Sequence, residues 1–165
     1  MLGNESMGVF RFEDLRVWQA AKVQCDRGGV LIKRPAFRSD RELSSQMDDA
    51  ALSVMLNISE GFLRRRDKET LQCLRYAFAS NGEVKSTYYA AEGRNYLSGS
   101  ETADLISLNE SIAKMLRRWQ ATLDKDQGRS KDPVRTKDHG RTKDHGRTKD
   151  QGRSTKDQAR TDIQR

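Results

Sequence analysis

Between Glu101 and Leu123, apolar residues return at every third or fourth position: Leu105, Leu108, Ile112, Met115, Leu116, Trp119 and Leu123. That step matches the 3.6-residue turn of an α-helix and puts all seven on one stripe, which some other element must cover. A second stripe is formed by Leu43, Met47, Ala50, Ala51, Val54 and Ile58, and a third by Leu71, Leu74, Ala77, Phe78, Val84, Tyr88 and Ala91. A fourth segment opens at Asp14-Leu15-Arg16-Val17-Trp18 and is stopped by Pro35. Period-two alternation, the mark of a half-buried strand, is almost absent. The spacing predicts helices over about 13–34, 40–61, 67–97 and 101–123. The connections are short, which favours an all-α, antiparallel up-down four-helix bundle. A three-helix bundle with the first segment loose, or an open helical pair completed by oligomerisation, are the other architectures the pattern allows.

Local signals sharpen these limits. Asp40 is placed to cap the second helix, Asp67 the third, and Glu13 or Asp14 to sit at the positive end of the first. Ser98 and Glu101 have capping-box spacing, with Ser100 as the other candidate cap. Gly61 suits the left-handed position at the end of the second helix. Gly28-Gly29 should bend or fray the first helix, and Gly82 weakens the third by about 1 kcal/mol relative to alanine.

Composition divides the chain. From Lys125 to Arg165 there is no aromatic residue, and Val134 and Ile163 are the only large aliphatics. Such a stretch buries too little apolar surface to offset the entropy of ordering, so it reads as a disordered basic tail. The expected domains are a disordered N-terminus over 1–9, the bundle over 10–124 and the tail over 125–165. The tail repeats a hexad, Arg135–Gly140, again at Arg141–Gly146 and at Arg147–Gly152, with degenerate copies on either side. Polar hexads with a glycine in each copy form neither a heptad seam nor a β-solenoid. The tail holds 13 Lys and Arg against 7 Asp, which is +6 of the chain's +7, so the bundle itself is nearly neutral. Met1–Val9 lacks the basic and apolar regions of a secretory signal, no apolar run is long enough for a membrane span, and Cys25 and Cys73 stand alone. A cytoplasmic protein with no membrane partner is the expectation.

The chemistry available is limited. Histidine occurs only at His139 and His145, in the tail, so the bundle has no imidazole for base work, nucleophile activation or zinc. Cys25 and Cys73 read as core fillers. Asp48, Asp49, Glu60, Glu83 and Glu92 lack the Glu-x-x-His pairs of a di-iron bundle. Gly28-Gly29 lacks the strand and the Lys-Ser/Thr of a phosphate loop. The expectation is no enzyme, no catalytic residue, no metal and no cofactor.

Binding is the better prospect. Arg64, Arg65, Arg66 and Lys68 form the sharpest nucleic-acid candidate, and Lys33, Arg34, Arg38 and Arg41 form a second basic cluster at the opposite end of an up-down bundle. Asn57, Glu60 and Gly61 make the most distinctive motif, read as structural or assembly residues. Adjacent Tyr88 and Tyr89 cannot both face one interior, nor can Val17 and Trp18. These four are candidates for a homo-oligomer interface on the first and third helices.

Several of these residues carry a resemblance. Phe12-Glu13-Asp14-Leu15-Arg16-Val17-Trp18-Gln19-Ala20-Ala21, the run Leu43 to Val54, Asn57-Ile58-Ser59-Glu60-Gly61, and Arg64 to Glu69 followed by Leu74-Arg75-Tyr76-Ala77 resemble the four-helix-bundle proteins labelled 23S rRNA-intervening sequence proteins. The resemblance spans about residues 10–124. It implies an up-down bundle assembled as a ring-like homopentamer, with no established enzymatic activity. Related accessory proteins of diversity-generating retroelements bind nucleic acid and a reverse transcriptase, so the resemblance implies RNA, DNA or such a protein as partners. Gly28-Gly29, Asn81 in place of an apolar residue, and the repeat tail depart from the family's pattern.

Overall fold

The computed structural model describes residues 11–129, and among them every regular element is helical. A 3-10 turn at Phe12–Asp14 leads into α1 (Arg16–Leu31); α2 (Pro35–Ser39), α3 (Arg41–Leu63), α4 (Asp67–Gly93) and α5 (Gly99–Arg129) follow. α3 packs on α1 and α4, and α5 packs on α4 and α1, so the four long helices enclose one core. Its centre holds Met47, Val54, Ile58, Leu74, Val84, Tyr88, Ile112 and Leu116, all fully buried. Each such aliphatic contributes about 1.5–3 kcal/mol over an exposed one. Every stripe residue in that set was drawn from the 3–4 spacing.

The helix limits differ from expectation in ways that local chemistry explains. Leu15 is extended (φ −71, ψ 121), which separates the 3-10 turn from α1 and leaves Glu13 and Asp14 outside the helix rather than capping it. Gly28-Gly29 do not interrupt α1, which runs continuously through them. Gly28 is buried where a Cβ would stand 4.0 Å from both Ala51 Cβ and Met47 Cγ, so the packing against α3 outweighs its low propensity. The expected plain connection at 35–40 contains α2, started by Pro35 in its first turn, where the missing N–H has no helical acceptor to lose. α2 delivers Phe37, fully buried, onto Tyr96 with ring centroids 5.5 Å apart.

Asp40 caps α3 as expected, accepting a bond from Leu43 N at 3.2 Å, and its carboxylate also holds Arg94. Asp67 does not cap α4: Arg66 occupies that position with no side-chain bond, and Asp67 is the first helical residue. Ser98 and Glu101 form the full capping box. Glu101 N donates to Ser98 Oγ at 3.2 Å, and Ser98 N donates to Glu101 Oε2 at 3.0 Å. α5 continues past Leu123 through Arg129, so Lys125–Arg129, expected in the tail, are helical. No proline interrupts before Pro133, and extending an established helix costs little per residue. The expected disorder of 1–9 and the hexad repeats lie outside the described residues.

Cross-helix partners give the detailed register. Gly61 meets Cys73 and Thr70, and Ser53 Oγ lies 2.9 Å from Ser80 Oγ. Gln120 Nε2 donates to Leu74 O at 2.9 Å, Lys85 Nζ to Glu110 at 2.8 Å, and Arg34 to Glu101 at 2.8 Å.

Candidate functional site

The turn from α3 to α4 is built by Arg64 and Arg66, both in extended backbone, so that four basic side chains follow one another at the surface. All of Arg64, Arg65, Arg66 and Lys68 are exposed. They are not equivalent. The Arg64 guanidinium is bound by the Glu60 carboxylate, one helical turn back, and lies 3.8 Å from Glu69. Glu60, through its hydrogen bond, raises the Arg64 pKa above its ordinary value. Arg66 approaches Glu69 at 3.8 Å. Arg65 and Lys68 make no ion pair among the described residues. Half of the cluster therefore has its charge partly answered within the turn.

The Asn57, Glu60 and Gly61 motif organises that same turn from inside α3. Asn57 Nδ2 donates to Ser53 O at 2.9 Å and to Ser53 Oγ at 3.2 Å, and Ser53 in turn reaches Ser80 on α4. Gly61 is helical and buried, not in the left-handed position expected for it. A Cβ there would lie 3.2 Å from Cys73 Cβ and 3.5 Å from Thr70 O, so glycine lets α3 and α4 approach. Both thiols are shifted up by burial, with nearby carboxylates adding to it, so they remain protonated at neutral pH.

Of the interface candidates, Tyr88 is fully buried and Val17 is 6% exposed, so neither stands out from the core as a subunit contact. Trp18 is half-buried with Phe12 edge-on at 5.2 Å, and Tyr89 is 52% exposed. The larger exposed apolar surface lies elsewhere. Leu52, Leu56 and Leu63, at 41%, 54% and 68%, share one outward face of α3 at steps of four and seven. Tyr76 on α4 and Val23 and Val30 on α1 are also exposed. The leucine spacing was readable, but the sequence reading assigned α3 a single inward stripe and left the second unexamined.

Two further arrangements escaped the sequence reading. Gln24, Asn81 and Asn109, from α1, α4 and α5, are all buried and bonded in a closed set. Gln24 donates to Asn81 Oδ1 at 3.1 Å, Asn81 to Asn109 O at 3.0 Å, and Asn109 to Gln24 Oε1 at 3.1 Å and to Asn81 O at 2.7 Å. Asn81 stood out as a departure from the family's pattern; its partners, far away in sequence, did not. The other is a groove of about 860 Å³ on the seam between α1 and α5, lined by Leu15, Val17, Met115 and Trp119 and by Arg16, Lys114, Arg117 and Arg118.

Among the described residues no group of three or more His, Cys, Asp or Glu side chains could hold a metal ion, and no helix is long and apolar enough to cross a membrane. A family model described as 23S rRNA-intervening sequence protein matches residues 13–118. The comparison with curated proteins gives no match.

Proposed function

The chain belongs to the 23S rRNA-intervening sequence protein family, and from that premise we propose that it is a non-enzymatic helical scaffold that assembles with copies of itself and binds RNA weakly through the phosphate backbone. The observation that carries the RNA half is the α3–α4 turn, where Arg65 and Lys68 stand exposed without an acidic partner among the described residues, beside Arg64 and Arg66. Cations of this kind attract phosphate without reading bases, so the affinity should fall steeply with salt.

We read the long helices as an antiparallel up-down four-helix bundle. Partners running in opposite order along each pair support this, as when Ser53 and Gly61 meet Ser80 and Cys73, and Asn81 and Leu74 meet Asn109 and Gln120. Self-assembly is supported by the outward leucines of α3, because an apolar face of that kind is normally covered. The pentamer is the number that the family resemblance implies, and closed cyclic symmetry would repeat the basic turn around one rim. Two unpaired cysteines fit a reducing, cytosolic setting with no cofactor.

A filter-binding titration of ribosomal RNA fragments at two salt concentrations tests the RNA half. Substituting Arg64, Arg65 and Arg66 by Glu should weaken the binding seen at low salt. Unchanged binding would remove the turn from the account. The second reading, a passenger protein with no ligand, is favoured by the Glu60 and Glu69 contacts that answer Arg64 and Arg66 internally; it predicts no binding at low salt even for the unaltered chain.

A further inference from the structure

We infer that the seam between α1 and α5 is a separate nucleic-acid site, a groove that takes a single-stranded polynucleotide with a base laid against Trp119. This deepens the RNA-binding reading above and rests on it for the kind of polymer, but the surface is a different one. Arg16 on α1 and Lys114, Arg117 and Arg118 on α5 line the groove, and no carboxylate does. Two acids close in sequence to the lining are engaged, Glu13 by Arg11 at 2.9 Å and Glu110 by Lys85 at 2.8 Å, while the exposed Asp14 beside Leu15 makes no ion pair among the described residues. None of the four cations is ion-paired among the described residues. Arg117 is held in place, its guanidinium carbon 4.9 Å over the Phe78 ring. Four positive charges around one concavity make a local field that a polyanion relieves, in a bundle whose net charge is close to zero.

The floor decides which polyanion. Met115 and Trp119 are one turn apart on α5, and Leu15, just before α1, and the buried Val17 on α1 line the same groove. At ~1.5 Å per residue that apolar strip is about 6 Å long. An acidic amphipathic helix seats anchors at i, i+3 or i+4, and i+7, a span of about 10 Å, and would leave most of its stripe uncovered. A base needs one aromatic surface with cations beside it for the flanking phosphates. The exposed hydroxyl of Ser111 at the rim is a further donor for phosphate or sugar oxygens, whereas that of Thr122 already donates to Trp119 O at 2.6 Å.

The test uses the full chain and a fluorescein-labelled 20-nucleotide oligouridylate, read by anisotropy across a salt series. Circular dichroism melting checks that each variant folds. The combined Arg16→Gln, Lys114→Gln and Arg118→Gln variant should bind at least ~10-fold more weakly at low salt, with a dependence of log K on log salt shallower by about two, the loss of three phosphate contacts. Trp119→Leu should weaken binding ~5-fold or more and leave the salt slope unchanged. In a Trp18→Phe background, Trp119 fluorescence should be quenched on binding. An Arg65→Gln, Lys68→Gln variant separates the two surfaces. If that variant loses binding and the groove variants do not, the groove inference fails and the α3–α4 turn stands. If only the groove variants lose binding, the groove stands and the turn falls. Absence of binding by the unaltered chain at low salt overturns both. Equal binding and equal Trp119 quenching by poly-L-glutamate would show a site for acidic polypeptide and overturn the nucleic-acid assignment.

Discussion

Gln24, Asn81 and Asn109 sit where leucines would fit the stripes, and each is tolerable only because the other two answer its amide. A buried amide without partners costs about 1–3 kcal/mol, so removing one member leaves the remaining groups unsatisfied. Asn81→Ala should therefore destabilise the protein by about 3 kcal/mol in urea unfolding, more than an alanine substitution at the half-buried Phe78 nearby. A loss under ~0.5 kcal/mol would mean the set contributes little. Tyr88 presents the reverse case. Its hydroxyl is fully buried with no hydrogen-bond partner among the described residues, and burial pushes its pKa up to about 12. Tyr88→Phe removes the unanswered group and keeps the ring, so it should raise stability by about 1 kcal/mol; a loss of that size would show that the hydroxyl is bonded. At this scale the sequence revealed little. Asn81 was conspicuous against the family's pattern, yet a hydrogen-bond partner on another helix leaves no periodic trace, so Gln24 and Asn109 were invisible.

Helices were far more legible, because their apolar spacing and caps are local. The Ser98–Glu101 box and the Asp40 cap follow from residues within four positions of one another. α2 and the unbroken α1 did not, since Phe37 and Gly28 take their places from distant packing partners. Glu101 also shows an electrostatic consequence. Its bonds from Ser98 N and Arg34 hold its carboxyl at about 2, well below the usual carboxylate range. A folded-state pKa that is depressed contributes stability fully above the unfolded value, near ~4.3, and loses it as pH falls toward the folded one. The melting temperature of Glu101→Ala should be below that of the unaltered chain at pH 7, and the gap should narrow between about pH 5 and pH 2; a gap that widens in acid would contradict this. Two glycines of neighbouring helices should respond oppositely. Gly82 faces open space in the middle of α4, so Gly82→Ala should stabilise by about 1 kcal/mol. Gly61→Val would drive methyl groups into Cys73 and the Thr70 carbonyl, and should destabilise by about 2 kcal/mol. Thermal melts of the pair check both signs.

On the scale of the molecule, one stripe per helix suffices to close a core, and the residues beyond those stripes carry the functional account. The basic turn at Arg64–Lys68 was found because its charges are consecutive. The α1–α5 groove was not, because Arg16 and Lys114–Arg118 come together only when the two helices pack. Likewise Leu52, Leu56 and Leu63 became conspicuous only when the inward face of α3 was fixed by its neighbours. Their outward direction is the strongest physical argument that this chain acts as an assembly rather than alone. Light scattering coupled to size exclusion, at micromolar concentration, tests that directly. The account predicts a discrete multiple of the 18.8 kDa chain mass, fivefold if the family's ring is formed. A mass of one chain, unchanged as concentration rises, would contradict it.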